Sequence, residues 1–600
     1  MRHLRNWRRL LWSVVLGAVT AGAQAQPAPS PVSIPATSFY RLPDIIDAAL
    51  SPSGRWLAMT TGLAGSRVGL VVFDLEAWKP LAMAASYGNA DIHEFSWVND
   101  DRLVYNVADT TRGGGNQRWW PGLFSVRRDS SEPRQLVKID KPFVTGVRHV
   151  GPEPLDVHHQ LLHVPRGGGD EVIVGEWRYD SSGDLDTVNA KRLNVVTGRT
   201  STLSVGAPAH VRRWLFDPQG EPRAVVTQHE GRGAVHWRGP GDASWRVLTE
   251  YASFEAPFLP AFTDSAGVLY VKVRQGEAST IVLKRFDFAA GKPEREALVS
   301  TPGFDLRGGI VSETVGDKAL GARVDTDAET TVWFDKRLAA LQIEADQRLP
   351  GRVNRLTCRR CNEPDMTVLV RSFSDRDPGQ IWIYRADGGS WQKVGNVRAD
   401  IDPQRMAQVE FERIRTRDGL EIPVWLTMPP GPRDKPRPAV VLVHGGPWVR
   451  HGHWRWDADA QFLASRGYVV IEPEFRGSTG YGDRLFRAGW RQWGQAMQDD
   501  VADALAWAVA KGHVDGQRVC IAGASYGGYA TLMGLARHPD LFRCGVAWVA
   551  VSDPRLMFQW RADYDVDTEG REYNYPTLIG DPVKDAAMLD SVSQIGRAHV

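Results

Sequence analysis

The sequence predicts an N-terminal all-β propeller followed by a two-sided α/β domain. Three observations carry this. Short alternating runs broken by turns recur over roughly the first 400 residues. Near residue 405 the texture changes to continuous apolar runs alternating with helical stretches. At one such junction stands a serine ringed by small residues, "VCIAGASYGGYA", Val519 to Ala530. The chain has 600 residues and is 42% apolar, ample for large cores and long for one domain. Its formal charge of +1 forces no basic face, which excludes nucleic acid as a partner on composition.

The N-terminus comes first. Arg2, Arg5, Arg8 and Arg9 precede a short apolar run from Leu10 to Ala23, and "AQA" supplies small residues for cleavage. Residues 1–25 therefore predict a secretory signal peptide rather than an anchor, for which the run is too short. Its removal takes the charge from +1 to −3. Residues 26–39, proline-rich, are expected to be a disordered leader. No other segment is apolar enough to span a bilayer. The expected location is the periplasm of a bacterial envelope, or the medium if secreted.

Residues 40–400 supply the propeller. "WLAMTT" leads to "RVGLVVFDLEAW", and later units include "WLFDPQGEPRAVVTQ", "AFTDSAGVLYVKV", "TTVWFDKRL" and "QIWIYRADGGSWQKVG". Each is strand, turn, strand, then an outer strand. Such a unit buries its faces only by stacking on its neighbours. A period of roughly 45 to 55 residues gives about seven blades. Cys358 and Cys361 in "CRRC" are placed to close a small disulfide loop on a turn, with β-like sequence following rather than the helix a redox motif wants. His158, His159 and His163 are expected to be surface or blade residues.

Residues 401–600 supply the α/β domain. "VEFERIRTRDGLEIPVWLTM" is a hairpin-like entry and "RPAVVLV" a buried strand. "DADAQFLASRG" is a helix capped by Gly467, and "YVVIEPEFRG" is strand and turn. "QDDVADALAWAVAKG" is an amphipathic helix, "RVCIAG" a strand, "SYGGYATLMGLARHP" a helix and "CGVAWVAV" a strand. Cys520 and Cys544 in the last two strands are expected to be small buried hydrophobes.

The chemistry centres on Gly523-x-Ser525-x-Gly527. Between a buried strand and a helix, this spacing is a nucleophile elbow. The bend is sharp, so side chains two positions from the serine would collide, and Gly528 adds another small residue. The helix N-terminus behind Ser525 favours a developing oxyanion. "HGGP", His444 to Pro447, ends the preceding buried strand. The Tyr526 and Gly446 backbone N–H groups are the expected oxyanion hole, with Gly445 the neighbouring alternative. His444 sits in that loop and is expected to pack it rather than act as base. His451 and His453 lack a carboxylate pattern for a metal, so no metal and no cofactor are expected.

"HGGP", "FRGSTGYG" (Phe475 to Gly482) and "GASYGGYA", in this order and spacing, resemble the prolyl oligopeptidase family of serine peptidases, nearest its acylaminoacyl- and dipeptidyl-peptidase branches. The resemblance implies a propeller joined to an α/β-hydrolase domain that cleaves short peptides through an acyl-enzyme on Ser525. The propeller is expected to restrict substrates to short or unfolded peptides. Arg476 is expected to be a structural brace. The segment 560–576 falls where the family places part of its substrate pocket, so Trp560, Tyr564 and Tyr573 are candidates to line it. Two features depart from the family. No Glu-Glu pair precedes residue 400; Glu94 and Glu176 stand singly. The triad acid and histidine are expected beyond Val600, so the hydrolase domain reads as truncated before them. His599, Asp553 and Asp563 fit that pattern poorly. An esterase on the same scaffold, or a propeller binding protein with a degenerate hydrolase domain, are the alternatives. A homo-oligomer is compatible with the sequence.

Overall fold

The computed structural model describes residues 33–63, 67–111, 120–140, 152–312, 318–559 and 568–594. The signal segment 1–25 lies outside them. Within the stretch expected to be a disordered leader, Ala36–Tyr40 form a short helix. Phe39 is fully buried there, stacked on Trp456 with ring centroids 6.1 Å apart and edge-on to Phe462. Burying an aromatic ring offsets the ordering of so short a segment.

Among the described residues, seven antiparallel sheets follow in meander order, spanning 47–85, 91–137, 159–202, 211–252, 259–293, 310–333 and 353–396. These are the seven blades. Period-2 alternation explains their stacking. In the strand Arg67–Asp74, Val68, Leu70 and Val72 are buried and join Ile92, Leu103, Tyr105 and Phe124 of the second blade in one core. The ring closes without a shared sheet. Leu50, Leu57 and Met59 of the first blade pack on Leu369, Ile381 and Ile383 of the last, and the Asp44 N–H donates to the Val397 carbonyl at 2.8 Å.

Among the described residues the sixth blade has three strands, and the segment expected to continue it is a helix, Lys336–Arg348. Asp335 caps it by accepting from the Leu338 N–H, and Leu338, Leu341 and Ala345 at helical spacing bury its inner face. Cys358 and Cys361 form the expected disulfide in the turn after Val353–Arg359, buried against this helix.

Among the described residues, the α/β domain forms one six-stranded sheet. Its spatial order is Gln408–Arg415, Glu421–Met428, Val469–Pro473, Arg437–Val443, Val514–Ala524 and Cys544–Trp548. The first two pairings are antiparallel and the last three parallel. Helices Ala458–Ser465, Ala496–Ala510 and Tyr526–Arg537 supply the crossovers. The core gathers Val441, Ile471, Val501, Leu505, Ile521 and Met533. Among the described residues, no helix is long and apolar enough to cross a membrane.

The two domains are laced together. Arg450, its side chain fully buried, donates to the Asp325 and Thr326 carbonyls of the sixth blade at 2.6 and 2.5 Å. His453 pairs with the Asp325 carboxylate at 2.7 Å. The Asp305 carboxylate accepts from the Gly480 N–H at 2.9 Å.

Candidate active site

Ser525 sits between the strand Val514–Ala524 and the helix Tyr526–Arg537, with φ 56° and ψ −119°. A non-glycine residue rarely adopts this conformation, and it persists only where the surroundings over-determine it. They do so here through hydrogen bonds at both ends of the residue. The Ser525 N–H donates to the Trp548 carbonyl at 3.1 Å, and its own carbonyl accepts from Tyr529 at 3.0 Å. The serine is exposed while Gly523, Tyr526 and Gly527 around it are buried.

The glycines are explained by crowding. A β-carbon on Gly527 would land on the Val443 carbonyl oxygen, one on Gly523 would meet the Gly527 backbone, and one on Gly528 would meet Ala550 Cβ at 2.7 Å. The "HGGP" loop arrives because Arg437–Val443 pairs in parallel with the nucleophile strand, Val443 opposite Gly523. A β-carbon on Gly445 would lie 3.5 Å from Ser525 Cβ, so the loop lies against the serine. Gly446 follows at φ 113°, a region that favours glycine. The Tyr526 N–H belongs to the first turn of its helix, where no carbonyl four residues back serves it. The structure thus brings Ser525, Tyr526 and the Gly445–Gly446 peptide together.

His444 does not reach the serine. Its Nε2 is 3.1 Å from Ser478 Oγ and its Nδ1 is 2.8 Å from the Gly445 carbonyl. Burial pushes its pKa down to about 4, so the ring is neutral at pH 7. It stacks on Phe475 at 4.4 Å, and Phe475, Tyr526, Trp493 and Tyr529 continue as an aromatic floor under the elbow. Among the described residues, no histidine hydrogen-bonds to Ser525. Asp553 is bound to Arg555, which also holds Asp590. His599 and Asp563 lie outside the described residues.

Arg476 is the brace expected of it. Its guanidinium holds Asp500, fully buried, through Nε at 2.8 Å and Nη2 at 2.7 Å, and Asp418 through two further bonds. Glu474 went unnoticed in the sequence. Its buried carboxylate accepts from the His451 and Gly452 N–H groups at 3.0 and 2.5 Å and so fixes the chain beyond the "HGGP" loop. An acidic residue at the end of the apolar "YVVIEPEF" run was the available signal. His451 lies 3.7 Å from the Glu472 carboxylate, and among the described residues no His, Cys, Asp and Glu cluster can hold a metal ion.

Cys520 and Cys544 correct an expectation. They are directly paired in neighbouring parallel strands and form a disulfide, Cα atoms 4.7 Å apart. Cys544–Trp548 is the last strand of the sheet among the described residues, and all five of its residues are exposed there. Of the pocket candidates, Trp560 and Tyr564 lie outside the described residues. Tyr573 packs against Gly231 of the fourth blade, in a segment also tied to that blade by Glu569, which accepts from the Gly231 N–H at 2.8 Å. Glu94 accepts from Asn106, and Glu176 is paired with Lys191 at 3.0 Å, so neither presents a free carboxylate.

Comparison with known proteins agrees with this fold. A model of the prolyl oligopeptidase family matches residues 454–579. The chain is 28% identical over 577 residues to a dipeptidyl aminopeptidase BIII of Pseudoxanthomonas mexicana, covering 92% of this chain and 78% of that one. A dipeptidyl peptidase family member 6 of Caenorhabditis elegans is 35% identical over 216 residues, 32% of this chain and 28% of that one. The fold is similar to that of a puromycin-hydrolyzing peptidase of Mycobacterium tuberculosis (TM-score 0.65, 18% identity, 95% of this chain and 86% of that one). Porphyromonas gingivalis dipeptidyl peptidase 4 shares it too (TM-score 0.57, 15% identity, 94% and 88%). Motifs and comparisons converge at family level: residues 454–579 match the prolyl oligopeptidase family of serine peptidases, whose catalytic domain is of the acyl-enzyme type.

Proposed function

We propose that the protein hydrolyses short peptides with Ser525 as nucleophile. The observation that carries this is the elbow: an exposed serine at φ 56°, bracketed by glycines at which a β-carbon would run into the main chain, facing the Gly445–Gly446 loop. Ser525 Oγ attacks the scissile carbonyl carbon and its proton passes to a base. The carbonyl oxygen becomes an oxyanion and accepts hydrogen bonds from the Tyr526 and Gly446 N–H groups. The tetrahedral intermediate collapses, the C–N bond breaks, and the amine leaves with a proton from the base. Water then releases the acid and restores the serine. The base and its orienting acid are assigned outside the described residues, in the order serine, acid, histidine that the family resemblance implies. The ring of blades restricts entry to short or unfolded peptides.

The relative matched over 92% of this chain is named a dipeptidyl aminopeptidase, which supports release of dipeptides from free N-termini. Export to the periplasm is supported by two disulfides, which persist in oxidising compartments. The test is hydrolysis by the protein expressed from its complete reading frame, with Ser525→Ala as control. Dipeptidyl arylamides, N-acylated arylamides and aryl esters are compared. Arylamide turnover lost in Ser525→Ala supports the proposal. Turnover of esters alone favours an esterase, and no Ser525-dependent turnover of any substrate refutes it.

A further inference from the structure

Three cations stand on neighbouring elements of the propeller beside the loop that follows Phe475. Arg213, in the fourth-blade strand Val211–Phe216, donates from Nη2 to the Pro260 carbonyl at 2.9 Å. Pro260 adjoins Leu259, and Leu259 pairs directly with Lys272 across the fifth blade. Lys272 pairs on its other side with Leu283. Two residues from Leu283, the Ile281 carbonyl accepts from the N–H of Leu306, the residue before Arg307. The Arg307 stem then reaches Gly480, where a β-carbon would meet its Cδ at 3.3 Å. Arg213 and Arg307 are exposed and Lys272 is half-buried.

None of the three has a carboxylate within ion-pair distance among the described residues, whereas Arg192, Arg352 and Arg476 each have one. Burial and the charges of Arg213 and Arg307 hold the Lys272 ammonium below its ordinary pKa. Asp305 is the opposing charge it feels, and each Asp305 oxygen also accepts a backbone N–H, from Ile281 and from Gly480. One carboxylate does not balance three like charges, and a bound anion relieves the repulsion that remains.

We propose that Arg213, Lys272 and Arg307 form a carboxylate-binding site that holds an anionic end of the peptide beside the catalytic cleft. Guanidinium and ammonium donors on three elements suit a carboxylate, which accepts from several at once. A short chain of contacts joins the site to the oxyanion loop. Gly480 is bound to Asp305, the Thr479 N–H donates to the Val449 carbonyl at 3.2 Å, and Ser478 Oγ meets His444 Nε2 at 3.1 Å. The site rests on the peptidase reading for its ligand class and not for its existence.

The test is calorimetric binding to the full chain carrying Ser525→Ala, which turns nothing over. The probes are Gly-Phe-Gly-Gly as free acid, the same peptide as C-terminal amide, and Gly-Phe-Gly-Asp amide. The free acid should bind about tenfold more tightly than its amide at low salt, and this preference should shrink as ionic strength rises. Arg307→Ala and Lys272→Met should each bring the ratio toward one. An Asp amide that binds like the free acid assigns the site to side-chain carboxylates as well; one that binds like the plain amide assigns it to the α-carboxylate. Equal binding of acid and amide, or a preference that survives both substitutions, overturns the proposal. Failure of a fluorophosphonate to label Ser525 in the unsubstituted chain sinks the peptidase reading instead and leaves an acid-over-amide preference standing.

Discussion

Gly527→Ala places one methyl group where the structure has no room for it. The added carbon falls on the Val443 carbonyl oxygen, with the His444 backbone beyond it. Both belong to the main chain, and Val443 is held in register opposite Gly523, so neither can swing aside. Overpacking of a rigid site costs about 1–3 kcal/mol. Alanine is about 1 kcal/mol better than glycine in a helix, which offsets part of it. The net loss is then up to about 2 kcal/mol, taken up as separation of the elbow from the "HGGP" strand. That movement also pulls the Tyr526 N–H away from the Gly446 loop. Losing the alignment of one oxyanion donor costs on the order of 100-fold in rate. The assay is the rate of fluorophosphonate acylation of Ser525 beside thermal unfolding of the hydrolase domain, with Gly309→Ala as control. Gly309 has open space at its β-carbon and an ordinary φ, so its variant should match wild type. Wild-type acylation and unchanged unfolding in Gly527→Ala would refute the crowding argument.

Further outcomes follow from the same contacts. Replacing Cys520 and Cys544 by alanine should lower stability by about 2–4 kcal/mol, and it should slow Ser525 acylation because the cross-linked strand carries the Trp548 carbonyl that holds the Ser525 N–H. Thermal melts and acylation rates with and without dithiothreitol check this; an inert double variant contradicts it. Arg476→Ala leaves Asp500 charged and buried without its partner, a loss of about 3–5 kcal/mol, which Arg476→Met with Asp500→Leu should largely recover in a denaturant titration. Burial and the neighbouring Asp457 and Glu474 charges raise the Glu472 pKa to about 8. The folded state therefore binds a proton the unfolded state has lost, and stability falls as pH rises from about 4.5 to 8. Depression of the His444 pKa acts oppositely below about 6.5, so the Glu472 slope is cleanest between pH 6.5 and 8. Glu472→Gln should flatten it in melts across that window.

The nucleophile elbow was legible because its signals are local. A buried strand, small residues at fixed offsets and a helix all lie within Val519 to Ala530. The blades were legible as a period, since strand alternation and turn residues repeat. Contacts between distant segments were not legible. Cys520 and Cys544 look like core residues until the strand order makes their strands neighbours and sets the two side by side. Arg450 and Glu474 act through backbone groups of other loops, which no spacing along the chain announces. The helix Lys336–Arg348 is a different case. Its aspartate cap and its Leu338, Leu341 and Ala345 spacing were present in the sequence, and the strand-like "TTVWF" before it obscured them.

The most direct measurement is acylation of the protein, expressed from its complete reading frame, by a fluorophosphonate, with the modified residue located by peptide mapping. The account predicts a single adduct on Ser525, absent after denaturation and absent in Ser525→Ala. An adduct elsewhere, or none while dipeptidyl arylamides are still turned over, would contradict it.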